Sequence, residues 1–148
     1  MVKVKSEIDF LQELQDQETT KTLQENYDFW AFSKIDEHLD NLFIPYINNV
    51  AERRFFPDFI FWLQKSDTQI ICFIDPKGIT YADYEHKADA YKLFKDKIFN
   101  PKNDPHCKIK KIKVVLKFYG DKDRVGDNYR DYWIKKGKLN DFFLTLKD

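Results

Sequence analysis

Arg54-Phe55-Phe56-Pro57-Asp58-Phe59-Ile60-Phe61-Trp62-Leu63 and, a few residues on, Gln69-Ile70-Ile71-Cys72-Phe73-Ile74-Asp75-Pro76-Lys77-Gly78 are the stretches that decide how this chain folds. Both are apolar runs of strand length, rich in aromatic and β-branched residues and marked by isolated charges. Lys65-Ser66-Asp67 between them predicts a hairpin-like connection, which makes them neighbouring strands. Sixteen residues separate Asp58 from Asp75, and Asp75 and Lys77, two apart, point to the same side of their strand. A carboxylate buried without a counter-ion is too costly to be accidental. Two acids and a lysine at the ends of core strands therefore imply an ion site. Glu85-His86-Lys87 repeats the acid-x-lysine spacing but falls in a stretch of helical period, so position separates the two.

Outward from this pair, an amphipathic helix is expected over about Glu7 to Asp16, with Ile8, Leu11 and Leu14 on one stripe and Ser6 as its cap. A second helical region runs from about Thr19 to Leu39, broken near Ser33, where Ser33-Lys34-Ile35-Asp36 offers a new capping box. A strand at Leu42 to Ile47 and a turn through Asn48-Asn49 lead into the Pro57-Asp58 strand, giving a three-stranded meander. Tyr84, Ala88 and Tyr91 follow helical spacing, with Leu93 and Phe94 extending the apolar side, so Thr80 to Phe99 reads as a helix that Pro101 stops. A strand at about Ile109 to Tyr119 follows, then a Gly- and Asp-containing loop and a short element built on Tyr132, Trp133, Phe142 and Phe143. The order helix, three strands, helix, strand predicts an α/β fold with a mixed central sheet flanked by helices.

At 148 residues the chain is expected to be one domain, 1–148, with residues 1–28 a helical addition to its N-terminal side. Its 43% hydrophobic and 17% aromatic residues exclude a disordered chain. Met1-Val2-Lys3-Val4-Lys5-Ser6-Glu7 lacks the apolar run of a signal peptide and no stretch approaches a membrane span, which predicts a soluble protein with no membrane partner. Cys72 and Cys107 have no paired spacing, so neither a disulfide framework nor a zinc site is indicated and the reducing cytoplasm is the expected compartment. His38, His86 and His106 are scattered and form no ligand pattern. The four glycines cannot form a phosphate-binding ATPase loop, which assigns any motor to another chain or a larger parent protein.

The acid, acid and lysine set resembles the motif of the PD-(D/E)XK nuclease superfamily, with Asp58 as the first acid, Asp75 as the second and Lys77 as the lysine. Phe32-Ser33-Lys34-Ile35-Asp36-Glu37, Leu42-Phe43-Ile44-Pro45-Tyr46, Pro57-Asp58-Phe59-Ile60-Phe61-Trp62 and Phe73-Ile74-Asp75-Pro76-Lys77-Gly78 carry a closer likeness. They are similar to endonuclease domains attached to type III restriction subunits and related DEAD/DEAH-type helicases. That likeness spans about Trp30 to Tyr91, under half the chain.

The resemblance implies a restriction-endonuclease-like fold and an endodeoxyribonuclease that hydrolyses DNA phosphodiester bonds, the cleavage module of a restriction or helicase-linked system. Its implied partners are DNA and a helicase or methyltransferase subunit or a second copy. A catalytically silent DNA-binding or docking domain on the same scaffold is the alternative. Such hydrolysis needs a hard cation, Mg²⁺ with Mn²⁺ as a substitute, held by carboxylate and carbonyl oxygens. Asp58 and Asp75 supply the carboxylates, and Pro76, which lacks an N–H but keeps its carbonyl, is the third ligand. Lys77 orients or deprotonates the attacking water, or stabilises the phosphorane charge. Gly78 lets the chain leave the strand without crowding the phosphate. Members of the superfamily often add an acid from the first core helix; Glu37 is the choice, with Asp36 and Asp40 close competitors. Tyr84 and Lys87, on the helix after the lysine, match positions that face the substrate phosphate.

The net charge is zero, yet residues 6 to 40 carry ten acids and two lysines whereas residues 77 to 117 carry eleven lysines and five acids. This asymmetry predicts a basic face beside the site, with Lys110, Lys111 and Lys113 as nucleic-acid contacts. Lysines on such a strand also serve to protect a sheet edge.

Overall fold

The computed structural model describes residues 5–47, 51–76, 84–95, 106–120 and 127–148. In chain order the elements are α1 (Lys5–Leu14), α2 (Gln17–Asn26), β1 (Phe29–Lys34), β2 (Ile44–Ile47), β3 (Glu52–Phe55), β4 (Phe59–Lys65), β5 (Thr68–Pro76), α3 (Tyr84–Lys95), β6 (Lys111–Gly120), a 3₁₀ turn (Asp127–Tyr132), β7 (Trp133–Lys135) and α4 (Leu139–Leu146). Five strands form one sheet in the order β1-β4-β5-β6-β7, and β2 and β3 form a separate two-stranded ribbon. The sheet is antiparallel from β1 through β5 and parallel from β5 through β7. It is the mixed sheet flanked by helices that the sequence implies.

The apolar runs of β4 and β5 are nearly continuous because the sheet is covered on both faces. Phe59, Phe61, Leu63, Ile70, Cys72 and Ile74 alternate onto the face covered by α1, α2 and α4, where Phe10, Leu23 and Phe143 complete the core. Ile60, Phe73, Leu116 and Phe118 turn the other way, beneath α3 and the ribbon, with Ala88, Tyr91, Tyr46 and Phe55. Phe10 of α1 and Leu23 of α2 are wholly buried, so both helices belong to this core. Two residues connect β4 to β5, and Ser66 takes a left-handed φ of 54° there while its N–H donates to Asp28 Oδ2 at 2.7 Å.

Several boundaries differ from the sequence reading. Helix does not continue to Leu39: α2 ends at Asn26, and Phe29-Trp30-Ala31-Phe32, better suited to a strand, pairs with β4 as β1. The expected Leu42–Ile47 strand survives as β2 but pairs with β3, outside the central sheet. The Arg54–Leu63 run is two strands, interrupted at Phe56-Pro57-Asp58, where proline removes a ladder donor. The central meander is therefore β1-β4-β5. On α1 the buried stripe is Glu7, Phe10 and Leu14, and Ile8 is exposed. The expected ends of the Thr80–Phe99 helix lie outside the described residues, which hold α3 from Tyr84 to Lys95.

One carboxylate fastens α4 to the sheet. Glu13 accepts the N–H of Gly137 at 2.9 Å and of Leu139 at 2.7 Å, satisfying donors at the start of α4, and also the Tyr119 hydroxyl. Among the described residues no helix is long and apolar enough to cross a membrane.

Candidate active site

The β4–β5 register sets Phe59 opposite Ile74, so the next residues out, Asp58 and Asp75, face each other. The Asp58 N–H donates to Asp75 Oδ1 at 3.0 Å, and the Asp58 carbonyl accepts the Ile35 N–H at 2.7 Å. Both acids thus lie at one end of three adjacent strands. Asp75 is completely enclosed, whereas Asp58 is half-buried. Asp58 lines a cleft of about 560 Å³ with Lys34, Ile35, Asp36, Glu37, His38 and Phe56. Pro76 ends β5, and its carbonyl accepts the Ser6 hydroxyl at 3.3 Å. Lys77 and Gly78 lie outside the described residues.

The structure does not place Glu37 on a helix. Residues 36–40 form a turn in which the Asp36 N–H donates to Asp40 Oδ2 and the His38 N–H to Asp36 Oδ1, both at 2.8 Å. Asp36 and Asp40 therefore serve this turn. Glu37 is exposed, 3.5 Å from His38 Nε2, although it shares the cleft with Asp58.

A helix acid linked to this end through Lys34 is one that sequence reasoning missed. Glu7, in the first turn of α1, is 8% exposed and its Oε2 lies 3.0 Å from Lys34 Nζ. Lys34 lines the cleft beside Asp58, and the neighbouring Ser6 reaches Pro76. A signal was present in the sequence: Glu7, Phe10 and Leu14 share helical spacing, and a charge on an apolar stripe demands a partner. Among the described residues, no three His, Cys, Asp or Glu side chains converge as a ready metal cage.

Tyr84 and Lys87 occupy the core side of α3. The Tyr84 ring packs against Trp133, Tyr129 and Phe118 at centroid distances of 5.7, 6.0 and 6.4 Å. Lys87 is 9% exposed, its ammonium 4.5 Å from the Phe55 ring centroid and 5.8 Å from that of Tyr46, beneath the ribbon. Both therefore contribute to packing.

The lysines of β6 lie away from the acids. Asp75 pairs with Phe118 but Thr68 pairs with Lys111, which sets Lys111 seven residues from the site end of β6. At roughly 3.3 Å per residue this is about 23 Å. Lys110 and Lys111 are exposed, Lys113 is half-buried, and Lys111 and Lys113 line a small cavity of about 100 Å³ with Lys65 and Lys147 at that far end.

No curated protein and no solved structure matches the chain. A family model does match, over residues 3–135, a span that takes in every strand of the sheet and of the ribbon together with the two opposed acids. By that match the chain belongs to the YagJ family.

Proposed function

We propose that the protein is a metal-dependent endodeoxyribonuclease of PD-(D/E)XK type. The observation that carries this reading is the placement of Asp58 opposite Asp75, locked by the 3.0 Å bond from the Asp58 N–H, at the mouth of an open cleft. The order of the core elements supports it: helices, the antiparallel meander β1-β4-β5, then α3 and a parallel β6. That is the order helix, three strands, helix, strand expected of a restriction-endonuclease-like core.

The donor set suits a hard cation. Two carboxylates and a carbonyl, Asp58, Asp75 and Pro76, are all oxygen ligands, and the Pro76 carbonyl keeps a second lone pair beside its bond from Ser6. When bound, Mg²⁺ or Mn²⁺ supplies charge neutralisation at the phosphoryl oxygens and acidifies water. Asp75 holds a fixed position because it is enclosed and bonded through Oδ1. Asp58 presents its carboxylate to the cleft, where a phosphate of the substrate enters. Lys77, next along the chain from Pro76, orients or deprotonates the attacking water or offsets the transition-state charge. In place of Glu37, Glu7 is the acid of the first helix, positioned through Lys34. The cleavage module acts with a helicase or methyltransferase subunit of a restriction or helicase-linked system.

Calorimetric titration with Mn²⁺ tests the site directly. The wild-type chain is expected to bind and Asp75→Ala to bind at least about tenfold more weakly while keeping its circular dichroism. Equal affinity in the two folded proteins rules out a shared cation site.

A further inference from the structure

The β6 lysines lie at the far end of the sheet and the Lys34 ammonium is engaged by Glu7, so a basic contact beside the cleft must come from elsewhere. The ribbon supplies one. Just before Asp58, β3 carries two adjacent arginines, Arg53 and Arg54, both exposed. Successive residues of a strand point to opposite faces. Arg53 pairs with Tyr46, whose buried ring lies over the Lys87 ammonium of α3, and Arg54 pairs with Pro45 on the outer face. The Arg54 guanidinium carbon is 4.7 Å from the centroid of the Phe43 ring, and that ring is 5.6 Å from the Phe56 ring. Phe56 in turn lines the cleft with Asp58. Contacts therefore run without a break from Arg54 through two rings to the cleft wall.

The form of the contact decides what Arg54 can do. A guanidinium over an aromatic face is held by the ring while its N–H donors, which lie in its own plane, stay unspent. Among the described residues the Arg54 guanidinium makes no hydrogen bond and no ion pair, and Glu52, the acid two residues before it, lines a separate cavity with His86 and Asp89. Arg53 has no such platform among the described residues. A positioned, unspent fork matches an oxyanion with two acceptor oxygens, and phosphate is the group that the neighbouring cleft is read to take. We propose that Arg54, seated on Phe43, grips a phosphate of the DNA backbone beside the one that enters the cleft. The inference rests on the nuclease reading and adds how the substrate is held: at this point the DNA is gripped without regard to sequence, because phosphate contacts carry no base information. Arg54 is thus a positioning residue.

Fluorescence anisotropy of two short labelled DNA duplexes of unrelated sequence tests this, using the full chain carrying Asp58→Asn with metal chelated, so that binding is read apart from cleavage. Adding Arg54→Gln should weaken binding by about tenfold on both duplexes and lower the slope of log affinity against log salt by about 0.9, the value for one phosphate contact. Arg53→Gln should change affinity by less than threefold. Arg54→Lys, which keeps the charge without the planar fork, should restore the slope and only part of the affinity. Circular dichroism should be the same for all of these exposed substitutions. No binding to either duplex before Arg54 is changed, an undiminished affinity in Arg54→Gln, equal losses from Arg53→Gln and Arg54→Gln, or a loss confined to one duplex overturns the proposal. The nuclease reading is decided separately, by metal-dependent cleavage of plasmid, so its failure and the failure of this grip are distinguishable.

Discussion

The backbone N–H of Asp58 donates to the carboxylate of Asp75 at 3.0 Å across the β4–β5 pair. The two acids are therefore coupled asymmetrically. Asp75 uses its side chain to satisfy a main-chain donor, whereas the Asp58 side chain takes no part in that bond and is turned to the cleft. Substitution should separate these roles. Asp75→Ala orphans a part-buried N–H and should lower stability by about 1–3 kcal/mol, and Asp58→Ala, which keeps the donor, should cost less than about 1 kcal/mol. Urea denaturation of the two variants checks the order; a larger loss in Asp58→Ala contradicts it.

Glu7 and Glu37 make a second contrast. Glu7 is buried against Lys34 at the Pro76 end, while Glu37 sits exposed on a turn. Glu7→Gln should reduce DNA cleavage by about 10²-fold or more, the usual scale for losing one acid–base or electrostatic group, and Glu37→Gln should change it by less than threefold. The reverse result would restore the turn acid.

Much of this architecture was legible in the chain. The β4 and β5 runs, the hairpin between them and the helix through Tyr84, Ala88 and Tyr91 announce themselves through apolar pattern and turn residues. Register then follows from the short loop, and with it the opposition of Asp58 and Asp75. What was hidden depends on tertiary pairing. Phe29 to Lys34 has an aromatic content that suits either a strand or a buried helix, and β4 decides between them. The lysines of β6 are basic in any reading, but only the parallel register with β5 sends them to the far end of the sheet. Lys87 looks like a solvent-facing helical lysine until the β2–β3 ribbon covers it.

Glu13 should matter to stability alone. Its carboxylate receives two N–H groups at the start of α4 and the Tyr119 hydroxyl, which raises the tyrosine's pKa along with burial, the larger cause. Glu13→Ala should cost about 2–4 kcal/mol by orphaning these donors. Thermal melts should show it, while cleavage by the folded fraction stays within about twofold of wild type.

Alkaline pH should loosen the core in a defined window. Burial pushes the Cys72 thiol from 9.0 up to about 12, and burial also raises the Tyr27 and Tyr119 phenols above their usual 10.0. Raised folded-state pKa values mean stability that is complete below the unfolded values and is lost as pH climbs, because the unfolded chain gives up its protons first. Stability should hold to about pH 9 and then fall by up to about 1.4 kcal/mol per pH unit for each group. In Cys72→Ala the decline should begin nearer pH 10, where the phenols start to titrate. Identical pH profiles for the two proteins would deny the thiol this part.

The most direct test of the account compares cleavage of supercoiled plasmid by the wild-type chain and by Asp58→Asn, in Mg²⁺ or Mn²⁺ and with the metal chelated. Asp58→Asn keeps the backbone donor to Asp75 and alters only the carboxylate at the cleft. The account predicts metal-dependent nicking or linearisation by the wild type, abolished by chelation and reduced by about two to four orders of magnitude in the folded variant. Cleavage that survives chelation, or that proceeds at the wild-type rate in Asp58→Asn, would contradict it.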